Sequence, residues 1–321
     1  MVSRVERSEA TNMKLEGIHH ITAITGDAPG NVRFYAGTLG LRLVKKTVNQ
    51  DVPTIYHLFY ADEVGGAGSD ITFFEYPGAV RGRAGPGMVH RITWRVASEE
   101  ALAFWEKRLA SHGFDSVRDD GRLRFDDPEG LGLEMAVIET TDEPLRARHP
   151  EIPEEHALQG FDGARAYASD PAASRDLLES TLNFSAHSES SWTVRGDRRG
   201  SFYAYDEAPA APGHEGAGTV HHIAWASPME EHEAWRNRVA AGGADVTPII
   251  DRYYFKSIYF REPSGVLFEI ATLGGAGFAL DEPLERLGES LSLPPNYQHL
   301  RVELEKALTP LPDPRAEIVS R

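Results

Sequence analysis

The chain of 321 residues is long enough for about two domains and a substantial core. Its 33 Lys and Arg against 49 Asp and Glu give a net charge of −16, which repels nucleic acid and anionic membrane and removes both as expected partners. With no cysteine, disulfides, zinc-thiolate sites, iron–sulfur clusters and thiol nucleophiles are excluded, so any metal must be held by His, Asp or Glu. The first residues lack the apolar core of a signal peptide and no stretch approaches about 18 consecutive apolar residues, so a cytoplasmic protein is expected.

Taken in chain order, residues 1–14 read as an N-terminal extension, and one pattern then recurs four times: a strand, a helix and several further strands. Unit one opens with Gly17-Ile18-His19-His20-Ile21-Thr22, has a helical stretch near Asn31–Thr38 and closes with Ile71-Thr72-Phe73-Phe74-Glu75. Unit two opens with Val89-His90-Arg91-Ile92-Thr93-Trp94, carries the helical run Glu99–Ser111 and closes through Leu133-Glu134-Met135. Unit three opens with Gly160-Phe161-Asp162-Gly163-Ala164-Arg165 and ends near Phe202–Tyr205. Unit four opens with Val220-His221-His222-Ile223-Ala224-Trp225, carries the helical run Glu230–Ala241 and closes through Phe268-Glu269-Ile270. Units three and four repeat one and two at offsets of 143 and 131 residues, as if half the chain had been copied. The domains expected are 15–142 and 157–276, joined by a linker at 143–156 and followed by a tail at 277–321 with a helix over Tyr297–Leu308. The fold class is α+β, with four βαβββ units in curved mixed sheets.

The repeat singles out His20, His222 and Glu269. A strand His is usually a hydrogen-bonded packing residue, and a strand Glu usually faces water. At the position of His20 and His222, however, unit two has Arg91 and unit three has Gly163, so one complete site is expected between units one and four and a vestigial one in the other pair. Two imidazoles and one carboxylate on one face of a divalent metal leave positions open for substrate and O2, the arrangement suited to Fe(II). Glu134, without His partners, is expected to be structural and to pair with Arg91. Glu75, read as the unit-one counterpart of Glu269, is a candidate fourth ligand, with its register uncertain by one residue.

These units resemble the vicinal-oxygen-chelate superfamily, which includes glyoxalase I, extradiol dioxygenases and the fosfomycin- and bleomycin-resistance proteins, and within it the ring-cleaving hydroquinone dioxygenase branch. The resemblance spans about residues 15–310. It rests on the openings at Gly17–Thr22 and Val220–Trp225, on Leu41–Asn49, Tyr56-His57-Leu58 and Ile71–Phe74, and on Asp251–Phe260 and Pro263–Ile270. It implies two tandem vicinal-oxygen-chelate domains, iron(II) on His20, His222 and Glu269 with manganese as the alternative metal, and O2 as co-substrate. It further implies catalytic roles near the metal for His19, Thr22, His221, Arg252 and Tyr259, a small aromatic substrate, and a homo-oligomer, which is common among such folds. Gln50 and Asp162 depart from the branch pattern, where an aromatic and a His are usual.

The residues themselves are compatible with those roles. Thr22, two positions beyond His20, shares its strand face. His19 and His221 nominally point to the opposite face, so a role near the metal requires a bulge at the strand start. Arg252 and Tyr259 share no simple strand face, but a turn around Tyr253–Lys256 would bring them onto neighbouring strands. The expected activity is therefore ring cleavage of a hydroquinone-like or related dihydroxylated aromatic. The alternatives are a glyoxalase-like isomerase or lyase, with Glu75 as extra ligand, and a metal-free drug-binding protein.

Overall fold

A computed structural model describes residues 13–313 of the protein. Most of the extension expected at residues 1–14, and the last residues of the tail, lie outside them. The four units appear as expected, each contributing four strands. Unit one supplies β1 (Ile18–Thr25), β2 (Arg42–Val48), β3 (Tyr56–Ala61) and β4 (Asp70–Glu75), and unit two supplies β5 (Val89–Val96), β6 (Ser116–Asp119), β7 (Arg122–Asp126) and β8 (Gly132–Val137). Unit three supplies β9 (Phe161–Ala168), β10 (Ser185–Ser188), β11 (Ser191–Arg195) and β12 (Gly200–Glu207), and unit four supplies β13 (Val220–Pro228), β14 (Ile250–Asp251), β15 (Lys256–Arg261) and β16 (Leu267–Leu273).

Local chemistry sets the helices. Asp27 caps the helix Ala28–Val32 by accepting from Gly30 N, and Asp170 does the same for unit three by accepting from Ala172 N, each with a proline in the first turn. Ser98 caps the helix Glu99–Ser111, which buries Ala101, Leu102, Trp105 and Leu109 on one face. Gly113, at φ +83°, ends that helix in a conformation that costs a glycine nothing.

The strands form two eight-stranded mixed sheets, ordered β14-β15-β16-β13-β1-β4-β3-β2 and β10-β11-β12-β9-β5-β8-β7-β6. Each sheet therefore joins units from the two halves of the chain: one with four, and two with three. The seam of the first sheet is the antiparallel pair β1 and β13, centred on Ile21 opposite Ile223. The register slips by one residue at His19 on one strand and at His221 on the other. These are paired β-bulges, and they explain the apolar spacing. Ile18, Ile21 and Ala23, like Val220, Ile223 and Trp225, all reach the core although an unbroken strand would put the first of each set on the opposite face from the other two. The seam of the second sheet repeats both slips, at His90 and Asp162. One continuous core containing Trp94, Phe161, Trp225 and Phe268 draws on both sheets.

The tail packs against the first sheet. Lys45, fully buried on β2, donates to the Phe278 carbonyl oxygen at 3.1 Å and Asp281 at 2.8 Å, and is paired with Glu282 and Ser292. The expected helix at Tyr297–Leu308 is a 3-10 turn, Pro295–Leu300, running into an α-helix, Arg301–Ala307. Among the described residues no helix is long and apolar enough to cross a membrane. Lys45→Ala would leave the buried Glu282 carboxylate and the part-exposed Asp281 without their cation, so a loss of about 3 kcal/mol is expected, measured by urea unfolding.

Candidate metal centre and its cavity

His20, His222 and Glu269 come from β1, β13 and β16, and the sheet brings them together. Glu269 Oε2 lies 2.9 Å from His222 Nε2 and 3.2 Å from His20 Nε2, and the two Nε2 atoms are 3.3 Å apart. All three residues are buried, at 2 %, 4 % and 1 % exposure for His20, His222 and Glu269. Among the described residues this is the one group of three or more His, Asp or Glu side chains whose ligand atoms converge closely enough to hold a metal ion. Ligands about 2.1 Å from a metal stand about 3.0 Å apart on an octahedral face and about 3.4 Å apart in a tetrahedron, so the observed edges suit a facial site with open positions.

The polar accounting agrees with that fit. Glu269 Oε1 accepts from Ser257, whereas Oε2 is buried with no hydrogen bond of its own. A cation held between this oxygen and the two imidazoles would satisfy it. Burial pushes the Glu269 carboxyl up, but His20 and His222 outweigh it and hold the group well below its usual range. Burial lowers the His222 pKa to about 4, so its ring is neutral at pH 7 and has a lone pair to donate.

The bulges supply the outer support. They turn His19 and His221 towards the ligand rings, with His19 Nδ1 at 2.9 Å from His20 Nδ1 and His221 Nδ1 at 2.8 Å from His222 Nδ1. A metal at each Nε2 requires the ligand ring to carry its proton on Nδ1 and to donate it to the neighbouring His. His19 suits that acceptor role, since burial and the adjacent His20 lower its pKa to about 3.

A cavity of about 190 Å³ opens beside His20 and His222, walled by Phe59, Phe74, Phe255 and Tyr259 and reached by His221 and Arg252. Arg252 Nε donates to Tyr259 Oη at 3.2 Å, and its guanidinium lies 5.3 Å from the Tyr259 ring centroid. The turn at Tyr253, with φ +72°, sets this pair. Burial and then Glu269 raise the Tyr259 pKa, so the phenol keeps its proton. Gln50 also faces the cavity and donates to the Arg252 carbonyl oxygen at 2.8 Å, while Tyr297 of the tail donates to the Gln50 carbonyl oxygen at 2.6 Å.

Thr22 is placed differently from a group that reaches a bound oxygen. It is fully buried, does not line the cavity, and its hydroxyl bonds Thr72 Oγ1 at 2.7 Å. Register also revises two assignments. Ala224, two residues after His222, pairs with Glu269, and Thr22, two residues after His20, pairs with Thr72. The unit-one counterpart of Glu269 is therefore Thr72. Glu75 lies three residues further on and accepts from Ala28 N at the start of a helix, so it is outside the ligand cluster.

In the second sheet Glu134 is the counterpart of Glu269 but does not pair with Arg91. It is bound by Arg122, Arg124 and Thr93, because β7 places Arg124 directly opposite it and Arg122 two residues along on the same face. Asp162, the counterpart of His19, accepts from Arg95 Nε at 3.1 Å. The residue that sequence reading left without a role is His57. It lines the cavity and its Nε2 lies 2.9 Å from Thr72 Oγ1. The clue was available only by register, since His57 stands to Thr72 as Ser257 stands to Glu269.

Fold and site together define a protein of duplicated βαβββ units with a His/His/Glu group that could hold a metal ion, and comparison with known proteins places it. Residues 17–135 and 160–270 match the Glyoxalase/Bleomycin resistance protein/Dioxygenase superfamily, and the chain belongs to that superfamily. It is 43% identical over 314 residues to "Putative ring-cleaving dioxygenase MhqO" of Bacillus subtilis (strain 168), covering 92% of this chain and 97% of that one. It is 30% identical over 322 residues to the chlorohydroquinone/hydroquinone 1,2-dioxygenase of Sphingobium indicum, covering 92% and 96%. A crystal structure from Bacillus subtilis superposes with a TM-score of 0.86 at 41% identity, over 94% of this chain and 98% of that one. Glyoxalase I from Zea mays, at 13% identity and a TM-score of 0.57 over 80% and 92%, shares the fold.

Glu269→Ala is expected to reduce bound divalent metal to below about a tenth per chain, whereas Glu134→Ala leaves it unchanged; metal analysis after gel filtration separates the two. In the metal-free protein His222 stays neutral down to about pH 4 when folded, but titrates near 6.5 once unfolded. The unfolded chain then binds more protons, so stability is expected to fall as pH drops from about 6.5 towards 4, read as denaturant midpoints at pH 7 and 5.

Proposed function

We propose that the protein is an Fe(II)-dependent dioxygenase that inserts O2 into a hydroquinone-like or related dihydroxylated aromatic ring and opens it. The observation that carries this reading is the buried facial set His20, His222 and Glu269 at the foot of an aromatic-walled cavity. The ring-cleaving names of full-length relatives support it. Two neutral imidazoles and one carboxylate leave a divalent ion with net positive charge, which favours an ionised phenol. Iron, when bound there, lowers the substrate phenol's pKa and carries electrons between the ring and O2.

The chain's own groups do the remaining work. Phe59, Phe74 and Phe255 exclude water and offer an apolar wall to a planar ring. Arg252, whose charge is held by Tyr259 and Asp51 despite burial, offsets negative charge that develops on oxygen. Tyr259, a phenol that retains its proton, supplies it where the O–O bond breaks, and its contact with Arg252 fixes the oxygen's position. His221 lines the same cavity and is the second proton-carrying group within reach.

The test is O2 uptake by anaerobically Fe(II)-loaded protein offered a panel of hydroquinones and catechols. One O2 consumed per ring, dependent on iron, is expected. A fully loaded protein that consumed none with any ring would overturn the proposal in favour of an oxygen-independent isomerase or lyase.

A further inference from the structure

Two polar atoms of the cavity wall have no hydrogen-bond partner among the described residues. Thr47 is 3 % exposed and lines the cavity, yet its Oγ1 makes no hydrogen bond. Directly opposite it across the β2–β3 ladder is His57. One ring nitrogen of His57, Nε2, is held through Thr72 to Thr22, and the ring is clamped between Phe59 at 4.0 Å and Phe74 at 4.4 Å. The other nitrogen, Nδ1, has no hydrogen-bond partner among the described residues. An unmade hydrogen bond at a buried hydroxyl is costly, and here it stands beside a second unpaired polar atom on a fixed ring.

We propose that Thr47 and His57 form a polar subsite that binds the ring hydroxyl remote from the metal, so that the cavity selects a para-dihydroxylated ring. This rests on the dioxygenase reading above and names its substrate class. The geometry favours para over ortho. His57 is on β3 and Thr47 on β2, two and three strands from His20 on β1. At about 4.8 Å per strand this is about 10 and 14 Å along the sheet, so the two side chains line the wall of the shared cavity away from His20. A hydroxyl ortho to the metal-bound oxygen stays at the metal, whereas a para hydroxyl points away from it towards this wall. Thr47 and His57 are neutral; the Thr47 hydroxyl can both donate and accept and His57 adds one ring nitrogen, a set that matches a phenolic OH and carries no charge to pair with a carboxylate or an ammonium.

The experiment measures anaerobic binding of hydroquinone, catechol and phenol to the Fe(II)-loaded protein by calorimetry, for the wild type, Thr47→Val and Thr47→Ser. Valine keeps the shape of threonine and removes the hydroxyl, so folding is preserved. The wild type is expected to bind hydroquinone about tenfold or more tighter than phenol. Thr47→Val should erase that margin while changing phenol and catechol less than about twofold, and Thr47→Ser should restore it. The proposal is overturned if hydroquinone fails to bind, if the wild type binds phenol equally well, or if Thr47→Val weakens all three ligands alike or none. Discriminating binding without O2 consumption would sink the dioxygenase reading and leave this subsite standing.

Discussion

The structure depends on one seam, the antiparallel pairing of β1 with β13 about Ile21 and Ile223, with a bulge on each strand. Without the bulges, His19 and His20 would point to opposite faces, as would His221 and His222. The extra residue in each strand keeps the apolar side chains in the core while turning both members of each His pair to the concave face. The ligand ring and the ring that holds its tautomer are therefore set by the same local distortion. Because the seam joins unit one to unit four, neither half of the chain contains the site alone.

The second sheet keeps the same scaffold without the His ligand pair. Its seam carries the same two bulges, at His90 and Asp162, yet Arg91 and Gly163 occupy the ligand positions. Glu134, at 1 % exposure, still needs a positive partner, and it has two guanidinium groups covalently supplied by Arg122 and Arg124. A buried carboxylate is common to both sheets, but only in the second does the chain itself supply the opposing cations. The contrast strengthens the assignment in the first sheet, where Glu269 Oε2 has no such built-in cation.

Closure of the cavity is the work of segments far apart in sequence. Tyr254 and Phe255 belong to the turn between β14 and β15, Gln50 and Asp51 to the loop after β2, and the tail anchors both. Tyr254 donates to Asp281 at 2.9 Å, Asp281 accepts from Lys45, and Tyr297 holds Gln50. The departure from the branch pattern at Gln50 therefore has a structural use: its amide fixes the Arg252 backbone, and through it the Arg252–Tyr259 pair.

The sequence by itself determined the fourfold unit, the helix Glu99–Ser111, and the choice of His20, His222 and Glu269. Those followed from periodicity and from comparing equivalent positions among repeats, which needs no coordinates. It also isolated Arg91 and Gly163 as the positions where the second site fails. Which strand lies beside which was decided only by the tertiary structure, and with it everything that depends on register. Glu75 gave way to Thr72 as the counterpart of Glu269, Arg122 and Arg124 replaced Arg91 as partners of Glu134, and Thr22 turned to Thr72 and away from the cavity. His57 and Thr47 acquired meaning only when β2, β3 and β4 were aligned. Side-chain direction in a strand reverses with each residue and a bulge resets it, so spacing along the chain names the chemistry but cannot say which groups face one another.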